Sequence, residues 1–163
     1  MFPLEIVTLA RLLVDEARQR SLRIVTAESC TGGLVAAAIC SVSGASDVFE
    51  RGFVTYSNRA KQELLGVPGD LIADMGAVSE PVARMMAEGA LEASHAHVAV
   101  AITGVAGPGG GTRMKPVGTV HIATARSNQA LMHREEFFEV ETREEIQLAA
   151  TQAALQALRD RMT

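Results

Sequence analysis

Only two cysteines occur in the 163 residues, Cys30 and Cys40. If both lie on one helix they are about 15 Å apart along its axis, too far for a disulfide. Two reduced thiols fit a cytoplasmic protein better than a disulfide scaffold. No uninterrupted apolar run reaches the roughly 18 residues of a membrane span, although 48% of the chain is hydrophobic, so a soluble chain without a membrane partner is expected. No secretion leader is expected either, because Glu5 and Asp15 interrupt the early apolar pattern and no basic segment leads into it. Positive charge is also scarce. With a formal charge of −4 and a pI near 5.6, the chain lacks the broad phosphate-neutralising surface of a nucleic-acid binder. A small molecule in a local pocket is the expected partner.

Metal and cofactor signatures are missing too. The cysteines lack ligand spacing, and His95, His97, His121 and His133 form no paired motif, so neither a metal nor a cofactor is expected. The glycine-rich stretch Thr103 to Thr112 is not a Walker A loop, since no Gly-Lys-Ser/Thr triplet closes it, nor a dinucleotide fingerprint, whose spacing and following helix it lacks. No repeat, low-complexity tract or linker divides the chain. A single domain over residues 1–163 is expected, burying roughly two-thirds of its unfolded surface.

What is present is an alternation of helical and strand patterns. Leu9, Leu12, Leu13 and Val14 recur at helical spacing and predict an amphipathic helix from Leu4 to Arg20. The apolar run from Leu22 to Ala27 predicts a strand, followed by a helix from about Thr31 to Ser41. Phe49 to Tyr56 reads as a second strand and Lys61 to Leu65 as a short helix capped by Asn58 and stopped by Gly66 and Pro68. Ser79-Glu80-Pro81 opens a helix to about Ala93. Val98 to Ile102 reads as a strand buried on both faces, and Val117 to Ala125 with Leu131 to Val140 as a hairpin around Ser127-Asn128. Thr142 and Glu145 form a capping box ahead of the last helix. About five strands alternating with helices imply a three-layer α/β/α sandwich with a mixed sheet.

Three unusual loops follow strands: Glu28 to Gly33, Ser57 to Lys61 and Thr103 to Lys115. In open α/β sheets ligands gather at strand ends, so these loops are expected to converge. The first joins a strand directly to an alanine-rich helix, where unpaired backbone N–H groups favour an anion or a developing oxyanion. Ser29 or Thr31 is either a plain N-cap there or part of a site, and Gly32 and Gly33 admit close approach. Cys30 rivals Ser29 as a nucleophile, although its side chain is placed to face the core. Lys61, one turn into its helix, is either a solvated charge or, if buried, a base for Ser29, with Tyr56 relaying a proton or fixing the ammonium. The glycine loop reads as a phosphate or ribose cradle, or as a flexible surface loop, with Arg113 and Lys115 nearby.

Five motifs in order, Ala27-Glu28-Ser29-Cys30-Thr31-Gly32-Gly33, Tyr56-Ser57-Asn58 with Lys61, Gly76-Ala77-Val78-Ser79, Thr103-Gly104-Val105-Ala106-Gly107-Pro108 and Lys115-Pro116-Val117-Gly118-Thr119-Val120, resemble the CinA C-terminal domain family over nearly the whole chain. The family includes amidases that convert nicotinamide mononucleotide to nicotinate mononucleotide and ammonia. The resemblance implies Ser29 as nucleophile, Lys61 as base and Tyr56 as an assisting group. It assigns substrate contacts to Cys30, Thr31, Gly32, Gly33, Thr103, Gly104, Ala106, Gly107 and Gly110, and makes Arg143 a phosphate partner. Gly109 departs from the polar residue expected there. A stand-alone form and a homo-oligomer are expected on the same ground. Against the amidase stand a catalytically silent nucleotide-binding or regulatory module and an amidase acting on a related pyridine nucleotide. Whether Glu28 orients the turn, touches substrate or merely sits at a helix start is open.

Overall fold

The computed structural model describes residues 1–163. Helix α1 spans Leu4–Gln19 and presents Ile6, Ala10, Leu13, Val14 and Ala17 to the core, the spacing of one helical face. Strand β1 (Ile24–Glu28) leads to α2 (Leu34–Cys40), a 3₁₀ turn at Ala45–Asp47, and β2 (Phe49–Val54). Helices α3 (Asn58–Leu65), α4 (Gly69–Met75) and α5 (Glu80–Glu92) then cross to β3 (Val98–Gly104). The antiparallel strands β4 (Thr119–Arg126) and β5 (Met132–Phe137) precede α6 (Arg143–Met162). No helix is long and apolar enough to cross a membrane.

The sheet order is β2-β1-β3-β4-β5, parallel over β2, β1 and β3 and antiparallel beyond. One face, built of Ile24, Val98, Val100, Ile102, Val120 and Ile122, packs against α1, α2 and α6. The other is largely alanine, with Ala27, Ala99, Ala101, Ala123 and Ala125 under α5. Small side chains across three strands let α5 sit close to the sheet. This is the expected three-layer mixed α/β sandwich, and β3, buried along nearly its whole length, is its central strand.

The same economy governs α5 against α3. A Cβ on Gly89 would lie 1.9 Å from the Leu65 carbonyl oxygen, a backbone atom that cannot step aside. Gly89→Ala is therefore expected to destabilise the fold by about 3 kcal/mol, read as a lower urea midpoint at unchanged slope.

Several boundaries differ from the sequence reading for local reasons. Helix α2 starts at Leu34 rather than Thr31, because Gly32 and Gly33 take left-handed conformations (φ 57° and 104°) and unwind the chain before it. Neither Ser29 nor Thr31 caps it. Ser57, not Asn58, caps α3 by accepting the Ala60 N–H at 3.0 Å. Helix α4 was not expected; seven residues opened by Pro68 carry too little periodicity to announce it. Of the capping box, Thr142 accepts the Glu145 N–H, but the Glu145 carboxylate takes the Glu141 N–H instead of that of Thr142.

Candidate active site

Strand β1 runs between β2 and β3, and the chain leaves its C-terminal end for α2 on one face while β2 leads to α3 on the other. That is a topological switch point, where a crevice opens at the strand ends. Side chains alternate across β1: Val25 and Ala27 face the α5 layer, Ile24 the α2 layer. Continuing past the strand end, Ser29 turns toward α3 while Cys30 joins the core beneath α2.

Lys61 is the largest fully buried side chain of the protein, 1% exposed. Its Nζ lies 2.9 Å from Ser29 Oγ, 2.9 Å from the Thr55 carbonyl oxygen and 3.4 Å from that of Tyr56. No carboxylate pairs with it, and burial pushes its ammonium below the ordinary lysine range. Two carbonyl acceptors and one hydroxyl match the two hydrogens and one lone pair of a neutral amine. Cys30, by contrast, is pushed up to about 12, by burial foremost, so it is held as a thiol and is a poor nucleophile at neutral pH.

The helix-start N–H groups expected to meet an oxyanion are not free. The Val35 and Ala36 N–H groups donate to the carboxylate of Glu28 at 2.9 and 3.0 Å. The Cys30 N–H, directly after Ser29, has no oxygen acceptor and stands where a nucleophile turn supplies its oxyanion donor.

A cleft of about 260 Å³ opens above Ser29, walled by Cys30, Tyr56, Val78, Gly104 to Gly107, Gly109, Gly110 and Arg143. Its volume is slightly below that of most small-molecule sites, roughly 300–1,000 Å³. The N–H groups of Ala106, Gly107, Gly109 and Gly110 carry no acceptor within the protein. Arg143, at the first turn of α6, donates to the Gly107 carbonyl and to the Tyr56 hydroxyl, both at 2.6 Å. It thereby ties the glycine loop to the β2–α3 connection across the cleft.

Of the residues singled out from sequence, Ser29, Lys61, Tyr56, Cys30, Gly104, Ala106, Gly107, Gly110 and Arg143 thus come together. Thr31, Gly32, Gly33 and Thr103 do not line the cleft. Thr31 donates to Glu28 at 2.6 Å, and Thr103, on the same sheet face as Ala99 and Ala101, donates to the Ala77 carbonyl. Tyr56 reaches Lys61 only through its carbonyl, its hydroxyl being engaged by Arg143. Lys115 donates to the Met75 carbonyl at 2.6 Å, outside the cleft, and Arg113 is exposed. Val105 and Gly109 wall the cleft as part of the glycine loop, and Val78 is a wall residue that the sequence reading did not assign.

No three His, Cys, Asp or Glu side chains converge to hold a metal ion. His121 and His133 do pair, with Nδ1 and Nε2 2.9 Å apart, and Glu80 lies 3.4 Å from His133. Burial pushes both imidazoles below the ordinary histidine range. The two are diagonal neighbours on one face of β4 and β5, a proximity visible only once the hairpin register is known.

These features define a mixed α/β sandwich with a buried serine–lysine pair at its switch point. Comparison with known proteins gives the lineage: the chain belongs to the CinA C-terminal domain family, which matches residues 6–162. The nicotinamide-nucleotide amidohydrolase PncC of Escherichia coli K12 is 47% identical over 154 residues, 94% of this chain and 93% of that protein. The CinA-like protein of Akkermansia muciniphila is 59% identical over 118 residues, 72% of this chain and 28% of that protein. The chain accordingly spans between 25% and 36% of six such longer relatives. Among solved structures, the competence/damage inducible protein CihA of Agrobacterium tumefaciens superposes with a TM-score of 0.96 at 47% identity, covering 98% of this chain and 97% of that one.

Proposed function

We propose that the chain hydrolyses the carboxamide of nicotinamide mononucleotide, giving nicotinate mononucleotide and ammonia, with Ser29 as nucleophile and Lys61 as base. The observation that carries this reading is the buried Lys61 amine 2.9 Å from Ser29 Oγ, its other contacts being carbonyls. The substrate class is supported by PncC, similar over almost the full length of both chains.

The Ser29 hydroxyl donates its proton to neutral Lys61 as Oγ attacks the carboxamide carbon, and the charge that develops on the carboxamide oxygen faces the Cys30 N–H. The Lys61 ammonium then protonates the leaving nitrogen, the C–N bond breaks, and ammonia departs. A water, deprotonated by Lys61, attacks the acyl ester and restores Ser29. The free N–H groups of the glycine loop and the Arg143 guanidinium suit the 5′-phosphate. Tyr56 assists by steering Arg143 rather than by touching the dyad with its ring.

Incubation with nicotinamide mononucleotide should release ammonia and the acid in equal amounts, followed by mass spectrometry. Binding without product would overturn the reading in favour of a silent nucleotide-binding module. Arg143→Ala should raise KM for the mononucleotide by about 10- to 100-fold with kcat within about threefold. Nicotinamide riboside, which has no phosphate, should show no such penalty; an equal loss on both substrates would remove Arg143 from phosphate recognition.

A further inference from the structure

Glu28 is wholly buried, yet it carries a carboxylate at the end of a strand. Oε1 accepts the Thr31 hydroxyl at 2.6 Å and the Val35 N–H at 2.9 Å, and Oε2 accepts the Ala36 N–H at 3.0 Å. Three donors, one from the loop after β1 and two from the first turn of α2, converge on a single side chain. Its backbone carbonyl accepts the Thr55 N–H at 2.8 Å, and the Thr55 carbonyl in turn accepts from Lys61 Nζ. One residue thus clamps the turn that bears Ser29 through its side chain and the segment that holds Lys61 through its backbone.

We infer that Glu28 is a positioning residue for the Ser29–Lys61 pair: its carboxylate fixes the turn so that Ser29 Oγ meets Lys61 and the Cys30 N–H stays in the cleft. The inference rests on the proposed amidase reading for its kinetic consequence, not for its geometry. Taking up the Val35 and Ala36 N–H groups also removes the donors that would draw a substrate anion to the wrong place. Anions are left to the glycine loop and to Arg143. A neutral amide in place of the carboxylate keeps the shape but turns an N–H donor toward one of the three donors, so the turn must shift. Displacement of a reacting atom by about 1 Å costs on the order of 10²-fold in rate.

The test is Glu28→Gln, assayed on nicotinamide mononucleotide and by alkylation of Cys30 with iodoacetamide in a Cys40→Ser background. Expected are a kcat lower by about 10²-fold with KM within about threefold. Alkylation of Cys30 should be at least about tenfold faster, because the clamp and its negative charge both suppress that thiol. Gly89→Ala, whose clash falls on the last residue of α3 and not on the Glu28 turn, is the control for simple loss of stability. Should Glu28→Gln fail to fold, Thr31→Val removes one clamp donor and should show the same pattern more weakly, while Thr31→Ser restores it. A kcat within threefold of wild type, or Cys30 no more reactive than in Gly89→Ala, overturns the inference. If the wild-type chain itself shows no turnover, the amidase reading falls and the Cys30 rate alone decides whether Glu28 holds the turn.

Discussion

Lys61→Met is expected to abolish turnover, by roughly 10⁴-fold or more, and at the same time to raise the melting temperature. Both effects have one cause. The amine is 1% exposed, has no anionic partner, and is held below the ordinary lysine range by burial. In the unfolded chain it titrates near 10.4. Between the depressed folded value and about 10.4 the unfolded chain binds more protons, so stability rises with pH across that window. Below it the full cost of burying the charge is borne. Methionine fills a similar volume without that cost, so the variant should be more stable at pH 7 while lacking any base for Ser29. Lys61→Arg should be inactive as well, since a guanidinium does not deprotonate. Thermal melting by circular dichroism alongside ammonia release checks the pair of effects; retained turnover would remove Lys61 from the chemistry.

Ser29→Ala should lose turnover to a similar extent, again roughly 10⁴-fold or more, while the dissociation constant for nicotinamide mononucleotide stays within about fivefold. The binding contacts assigned to Arg143 and the glycine loop do not involve the Oγ atom, so calorimetric binding should survive. Residual activity within tenfold of wild type would require another nucleophile, and Cys30 is the neighbouring one. Its thiol, pushed up to about 12 and buried, is the physical reason to expect none.

The layer order, the mixed sheet and the convergence of the three loops were legible in the sequence because each rests on local pattern: alternation in β4, helical spacing in α1, glycine at strand ends. Ser29, Lys61 and the glycine loop came into view from their places after strands and Arg143 only through the family resemblance, and the structure brings them together. The contacts of Thr31, Thr103 and Glu28 were not legible, because they depend on which face of β1 or β3 a side chain leaves. Glu28 and Ser29 are consecutive and go opposite ways, one beneath α2 and the other toward α3. Nothing in the sequence says which of the two is clamp and which is nucleophile until the layers are assigned. The course of the Tyr56 ring was hidden for a related reason: it extends outward to Arg143, 87 positions away, and only the Tyr56 carbonyl turns inward. The His121–His133 pair similarly required the register of β4 on β5.

The most direct test of the central claim is the pH dependence of kcat/KM for deamidation of nicotinamide mononucleotide by the wild-type chain. A base that must be neutral to accept the Ser29 proton predicts a rate that rises with pH and levels off, the limb reporting a group below the ordinary lysine range. A rate that is flat across the range, or that falls as pH rises, would contradict a neutral Lys61 as the base for Ser29.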